Sequence, residues 1–160
     1  MKSLALKIDS LIEPLRSLSD TYATHVFDLV IRLYVAHIFW TAGMLKVDRV
    51  LNDDFGSTVE AFTDYYPIPG VDPVLAAAGA TIFEPLLAIL LAFGLFGRFA
   101  GAGLLVMSLV IEYAWAIQQD PYTFPFNQEH VVWMIVCASV LLRGPGKLSL
   151  DTFLLKWIRK

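Results

Sequence analysis

The stretch FDLVIRLYVAHIFWTAGMLK, residues 27–46, decides the fold. It matches the roughly 20 apolar residues that a helix needs to cross a bilayer, yet it contains Asp28, Arg32 and His37. An ionisable group inside the hydrocarbon costs at least about 2.5 kcal/mol, so each one should meet a partner or a water-lined cavity. The stretch therefore predicts a transmembrane helix packed against other helices.

The rest of the chain fits the same class. Of its 160 residues, 57% are hydrophobic and 17% are charged, which is too apolar for an ordinary soluble domain. Four apolar blocks predict spans at about residues 26–45, 73–96, 99–117 and 130–142, the last of which is short. We expect an all-α integral membrane four-helix bundle that forms a single domain over residues 1–160.

Three further segments have an apolar face at helical spacing. Residues 4–18 predict a short helix that lies on the membrane surface or packs against the bundle. Residues 149–159 predict an interfacial helix capped by Ser149. In the long loop over residues 47–72, Phe55, Val59, Phe62 and Tyr66 predict a helix across the mouth of the bundle, where it could serve as a lid.

The basic residues predict the orientation. Nine Lys and Arg residues lie in the N-terminal segment, the turn at residues 94–99 and the C-terminal segment, whereas the first long loop holds only Lys46 and Arg49. Because cytoplasmic loops carry the excess of basic residues, both termini are expected in the cytoplasm.

The intramembrane polar residues are the candidates for a polar core or ligand site: Arg32, Lys46, Glu84, Glu112 and His130. Steps of three and four place Arg32 and Lys46 on one helix face, and Glu84 and Glu112 on faces rich in small residues. We expect Arg32 to pair with Glu84, and Glu112 to pair with Lys46 or His130. Two interpretations stay open: buried ion pairs that fix the helix register, or a site or proton path.

Histidine and aromatic side chains add weaker candidates. His37 lies away from Arg32 on its helix and indicates packing, whereas His130 is an interface residue or a contact for proton transfer or a quinone headgroup. Trp40, Tyr113 and Trp133 belong to an interfacial aromatic belt or stack against a flat ring.

Several functions are excluded or disfavoured. The net charge of −3 and the absence of a basic patch argue against nucleic acid as a partner. The single Cys137 excludes an internal disulfide and a CxxC pair, and the sequence has no metal-ligand motif. Haem is disfavoured because His37 and His130 are expected at different depths.

The order of three stretches resembles the DoxX family of small four-helix bacterial inner-membrane proteins. They are RLYVAHIFWTAGMLKV (32–47), FEPLLAILLAFGLFGRFAGAGLL (83–105) and HVVWMIVCASVLLRGPGKLSLD (130–151). The resemblance covers about residues 26–152. Its matching positions are Arg32, Gly43, Lys46, Glu84, the GLFGR turn at 94–98 and GPGKLSLD at 144–151, although Gly97 stands where the family usually has threonine.

The resemblance implies a bacterial inner-membrane protein linked to redox or to metal and oxidative-stress homeostasis. It implies an accessory or quinone-linked subunit, without a covalently bound cofactor, that works with a partner redox protein or a metal-binding peptide. Whether the chain is itself an enzyme stays open. Besides the lipid bilayer, a homo-oligomer is a further expected partner; the alternatives are a small transporter or channel and a scaffold for soluble partners.

Overall fold

The computed structural model describes residues 12–14, 16–118 and 127–159, and within them the chain forms helices and no strands. A π-helical turn at Ser19–Ala23 leads directly into the first long helix. Six α-helices follow: α1 Thr24–Leu51, α2 Phe55–Asp64, α3 Pro73–Phe93, α4 Gly97–Ala116, α5 Gln128–Arg143 and α6 Leu150–Ile158. The expected N-terminal surface helix lies mostly outside the described residues.

Three helical segments of the described chain are long and apolar enough to cross a membrane: Ile12–Leu51, Pro73–Phe93 and Gly97–Ala116. The fourth predicted span corresponds to α5, which has 16 residues. At 1.5 Å per residue α5 is about 24 Å long. That length is shorter than the roughly 30 Å of a bilayer's hydrocarbon core.

The two additional helices are confirmed. α2 forms in the first long loop, and α6 begins after Ser149, whose side chain accepts a hydrogen bond from the N–H of Thr152 at 3.3 Å. None of the α6 residues is buried, and Phe153 and Trp157 are among its most exposed side chains. The apolar side chains of α6 are therefore left uncovered by the described part of the chain.

The most extensive helix contacts are between α1 and α3 and between α4 and α5, and α3 also contacts α4. Their shared core consists of apolar side chains, the most buried of which include Val35, Phe39, Leu87, Leu91, Leu104 and Cys137. One end of the helices carries the 94–98 turn, Arg143 and α6, and we call it the basic end. The opposite end carries α2 and the Asp-rich loop, and we call it the acidic end.

Glycines set how closely the helices approach. A Cβ atom on Gly43 of α1 would lie 2.5 Å from Pro85 Cδ of α3, and one on Gly101 of α4 would lie 3.0 Å from the Cys137 carbonyl oxygen of α5. Gly97 is equally tight, since its Cβ would lie 2.5 Å from the Pro145 ring. Gly97 and Gly101 therefore allow close packing of α4, and its partners there are α5 and the segment that follows α5.

The expected pair of Arg32 with Glu84 is wrong. The guanidinium of Arg32 donates to the backbone carbonyls of Pro145 and, at 2.8 Å, Leu148, and it is buried at the basic end. The contact of Gly43 with Pro85 fixes which levels of α1 and α3 meet. Arg32 lies eleven residues before Gly43, about 16 Å along the helix, which is beyond the reach of its side chain.

The same end is held by Asp151. Its carboxylate accepts from the N–H groups of Phe96 at 2.9 Å and Gly97 at 2.8 Å, and its own N–H donates to the Gly94 carbonyl at 3.1 Å. A carboxylate at the first N–H groups of α4 satisfies donors that have no partner within the helix. The GLFGR and GPGKLSLD stretches, together with Arg32, thus form one structural unit.

Candidate functional site

At the acidic end, Lys46 of α1 pairs with Glu84 of α3. Lys46 Nζ lies 2.6 Å from Glu84 Oε2, and the two side chains are 18% and 5% exposed. Lys46 also donates to the Ala42 carbonyl at 3.3 Å. The Gly43 contact with Pro85 brings the two helices together at this level, so Lys46, one turn further along α1, reaches the carboxylate.

A second buried pair joins α4 to the start of α5. His130 Nδ1 lies 2.6 Å from Glu112 Oε2, which confirms one of the two partners expected for Glu112. The other carboxylate oxygen accepts from the N–H of Asn127 at 2.9 Å. With Glu112 ionised, His130 must carry a proton on Nδ1, because a carboxylate only accepts hydrogen bonds. His130 Nε2 has no hydrogen-bond partner among the described residues.

Both pairs border one cavity of about 350 Å³, which we call the acidic-end cavity. Its polar lining includes Lys46, Arg49, Thr58, Glu84 and His130. Its apolar lining includes Phe39, Phe62, Tyr66, Ile111 and Trp133. Binding pockets are commonly of this kind, mostly apolar with a few convergent polar groups.

Thr58 of α2 carries a polar atom that the described part of the chain leaves unsatisfied. The residue is 1% exposed, it lines the acidic-end cavity, and its Oγ1 has no hydrogen-bond partner among the described residues. Helical threonines usually bond the carbonyl four residues earlier, as Thr63 does to Val59 at 2.9 Å and Thr81 to Ala77 at 2.8 Å. An orphaned buried hydroxyl costs about 1–3 kcal/mol. The Thr58 hydroxyl thus lies beside the cavity without a partner among the described residues.

Arg49, one turn beyond Lys46, also lines the cavity. Its guanidinium makes no hydrogen bond or ion pair with the described residues. Arg49 can only donate hydrogen bonds, and the Thr58 hydroxyl can donate as well as accept, so the cavity suits a ligand with acceptor oxygens.

The aromatic candidates separate into two groups. Trp133 lines the cavity, with its ring centroid 4.8 Å from that of His130 and 5.9 Å from that of Phe39. Trp40 and Tyr113 lie on the outside of the helices, 39% and 51% exposed, and neither lines the cavity. His37 is likewise exposed, as its position on the helix indicated.

The structure brings together four of the five predicted polar residues and leaves Arg32 at the other end. Sequence reasoning missed Arg49 and Thr58. The apolar stripe of α2 was a usable signal for Thr58, because a threonine next to Val59 and one turn before Phe62 lies beside the face that turns inward. Within the described residues no cluster of His, Cys, Asp and Glu side chains could hold a metal ion.

The comparisons with known proteins bear on the chain as a whole. The DoxX family model matches residues 27–116, more than half of the chain. Searches of curated proteins and of solved structures give no match. The matched region contains most of α1 and all of α2, α3 and α4, with Arg32, Lys46, Glu84 and Glu112. On this evidence the chain is a membrane protein that belongs to the DoxX family.

Proposed function

We propose that the chain is a quinone-linked membrane subunit of a redox system, and that the acidic-end cavity holds the quinone headgroup while a partner redox protein exchanges electrons with it. The observation that carries the proposal is a cavity with aromatic walls that Thr58 lines, and whose Thr58 hydroxyl has no partner among the described residues. A quinone carbonyl oxygen is a hydrogen-bond acceptor that this donor fits.

A bound quinone supplies chemistry in which two electrons and two protons are taken up or released together. Thr58 and Arg49 would orient the carbonyl oxygens, and the rings of Trp133 and Phe39 would offer flat apolar surfaces. His130 Nε2 would accept or return a proton, because Glu112 holds the Nδ1–H tautomer and stabilises the imidazolium. Glu84, paired with Lys46, would exchange the other proton.

The topology in the membrane follows the same proposal. We place α5 across the bilayer beside α4, extended by the residues before Gln128, which gives four spans in the bacterial inner membrane. The basic end would face the cytoplasm, because Arg98, Arg143 and α6 lie there. The acidic-end cavity would then lie in the outer half of the membrane.

Transport along a charged path is the alternative. That path would require a continuous polar or water-lined connection from Arg32 to Lys46, Glu84 and Glu112. Between these groups lies a core of tightly buried apolar side chains, among them Val35, Leu87, Ala88 and Leu104. This separation favours a closed binding site over a path.

The test is a titration of the purified protein in lipid nanodiscs with a benzoquinone that lacks a tail, measured by calorimetry. Loss of one good hydrogen bond corresponds to roughly tenfold in affinity, which is the weakening expected for Thr58→Val. The matched control is Thr63→Val, since Thr63 lies on the same helix, outside the cavity, and bonds its own helix. Absence of binding to the unmodified protein would overturn the proposal, as would equal affinity of the two variants. Solute flux in liposomes that Glu84→Gln abolishes would instead favour transport.

A further inference from the structure

A second space lies on the outside of the helices, between α3 and α4. It measures about 420 Å³, and we call it the side groove. Its lining is apolar or glycine except for Glu84, and includes Leu75, Gly79, Phe83, Gly103 and Met107. Groove residues such as Leu75 and Phe83 are largely exposed on the protein surface, at 68% and 53%. In a membrane protein, an exposed apolar surface on helices of spanning length meets lipid.

The side groove and the acidic-end cavity are adjacent. Four residues line both spaces: Phe62, Glu84, Val110 and Ile111. Glu84 thus stands at the junction, with its carboxylate held by Lys46 on the cavity side. An apolar space that opens to lipid and ends at a polar cavity matches the shape of an amphiphile, with a hydrocarbon tail outside and a polar head inside.

The glycines of α3 and α4 create the room. A Cβ atom on Gly79 would meet nothing within 4 Å, so the groove is open at this point. At Gly103 a Cβ atom would lie 2.6 Å from Leu87 Cδ1, so the missing side chain lets Leu87 occupy the floor of the groove. A glycine at position 79 makes the helix less stable than an alanine would. Because Gly79 has no side chain, the groove beside it stays open.

We propose that the ligand of the acidic-end cavity is a long-chain amphiphile that reaches the cavity sideways from the bilayer, with its hydrocarbon tail in the side groove and its head beyond Glu84. This inference rests on the proposed function and specifies the substrate class: quinones that carry a long apolar tail. A tail that comes from the bilayer leaves surroundings as apolar as the groove, so its contribution to affinity comes from van der Waals packing against the groove wall.

The experiment compares two benzoquinones in nanodiscs, one without a tail and one with a ten-carbon tail. Gly79→Leu puts a side chain into the groove, where its Cβ meets no atom within 4 Å. It should displace the tail, weaken binding of the tailed molecule by about tenfold or more, and leave the tail-less molecule unaffected. Gly56→Leu is the matched control, because Gly56 is also a helical glycine with open space around it but lines neither space. Partitioning into the nanodisc is the same for all variants and cancels in the comparison.

A second variant covers the case in which Gly79→Leu does not fold. Val106→Phe adds bulk to the exposed wall of the groove and should act in the same direction. If both quinones bind and neither substitution changes the ratio of their affinities, the tail inference is overturned while the proposed function stands. If a ten-carbon alcohol shows the same sensitivity to Gly79→Leu as the tailed quinone, the groove is a site for lipid chains alone. If neither quinone binds the unmodified protein, the proposed function fails.

Discussion

Gly43 of α1 lies directly against Pro85 of α3, so closely that a Cβ atom on Gly43 would come within 2.7 Å of the Pro85 backbone nitrogen. This contact sets the register of the two helices. It places Lys46 at the level of Glu84, and it places Arg32 near Gly94 and the C-terminal segment. The charged groups of α1 therefore make their contacts at two opposite ends of the molecule.

Gly43→Ala should destabilise the protein. The added methyl group meets backbone atoms that cannot rotate away, so α1 and α3 must separate, at a cost of about 1–3 kcal/mol. The measurement is the free energy of unfolding in mixed micelles. Gly56→Ala serves as the control and should be stabilising by about 0.5–1 kcal/mol, because the new methyl group meets no atom within 4 Å. Equal stability of the two variants would contradict the register assigned to Gly43.

Lys46 and Glu84 should show strong energetic coupling. Lys46→Met leaves the buried Glu84 carboxylate unpaired, which typically costs about 3–5 kcal/mol. The double variant Lys46→Met with Glu84→Gln removes both charges and should be more stable than Lys46→Met alone. The same unfolding measurement, applied to all four members of the double-mutant cycle, gives the coupling energy. Additive effects would show that the pair does not form.

Arg32→Lys should loosen the basic end. The guanidinium spans the carbonyls of Pro145 and Leu148, which a single ammonium group cannot hold in the same way. We expect faster hydrogen exchange at the backbone N–H groups of Asp151 and Gly97, read by mass spectrometry. The control is Arg143→Lys, because Arg143 is exposed and lies 3.8 Å from Asp28 in a surface pair. Unchanged exchange in Arg32→Lys would refute the role assigned to Arg32.

Helix positions and faces could be predicted from the sequence, because they follow from apolar block length and the 3.6-residue repeat. The predicted face of Arg32, Gly43 and Lys46 is buried or partly buried in the structure. The partner of Glu112 could also be predicted, because His130 lies at the start of the next helix, at the same end of the molecule.

The partner of Arg32 could not be predicted in the same way. Depth along a helix was inferred from loop positions, whereas the actual register depends on the contact of one glycine with one proline. Arg32 also binds backbone carbonyls. Every residue has such a carbonyl, so the sequence does not indicate which carbonyls the guanidinium binds. Thr58 was missed for a related reason, since whether a helical threonine bonds its own backbone is decided by local geometry.

Glu112→Gln should change the tautomer of His130. In the unmodified protein the carboxylate accepts from Nδ1–H and holds the proton there. In the variant the glutamine carbonyl oxygen takes over the hydrogen bond from the Asn127 N–H, so its NH₂ group faces Nδ1. Because that group only donates, the neutral ring should shift to the Nε2–H tautomer. The measurement is nitrogen-15 NMR of histidine-labelled protein at a pH where His130 is neutral. Glu129→Gln is the control, because Glu129 is exposed and its side chain makes no hydrogen bond to the described residues. A fixed Nδ1–H tautomer in Glu112→Gln would contradict the role of the carboxylate.

Thr58→Val should affect stability and ligand binding in opposite directions. Valine has nearly the shape of threonine and lacks the orphaned hydroxyl, so the ligand-free variant should gain up to about 1–3 kcal/mol in free energy of unfolding. The same change at Thr63 removes a hydroxyl that is bonded to the Val59 carbonyl and exposed, and should alter stability by less than about 0.5 kcal/mol. A group that costs stability in the ligand-free protein and strengthens binding of an acceptor ligand is a binding group. Loss of stability in Thr58→Val would show instead that the hydroxyl has a partner within the protein, and the cavity would lose its main donor.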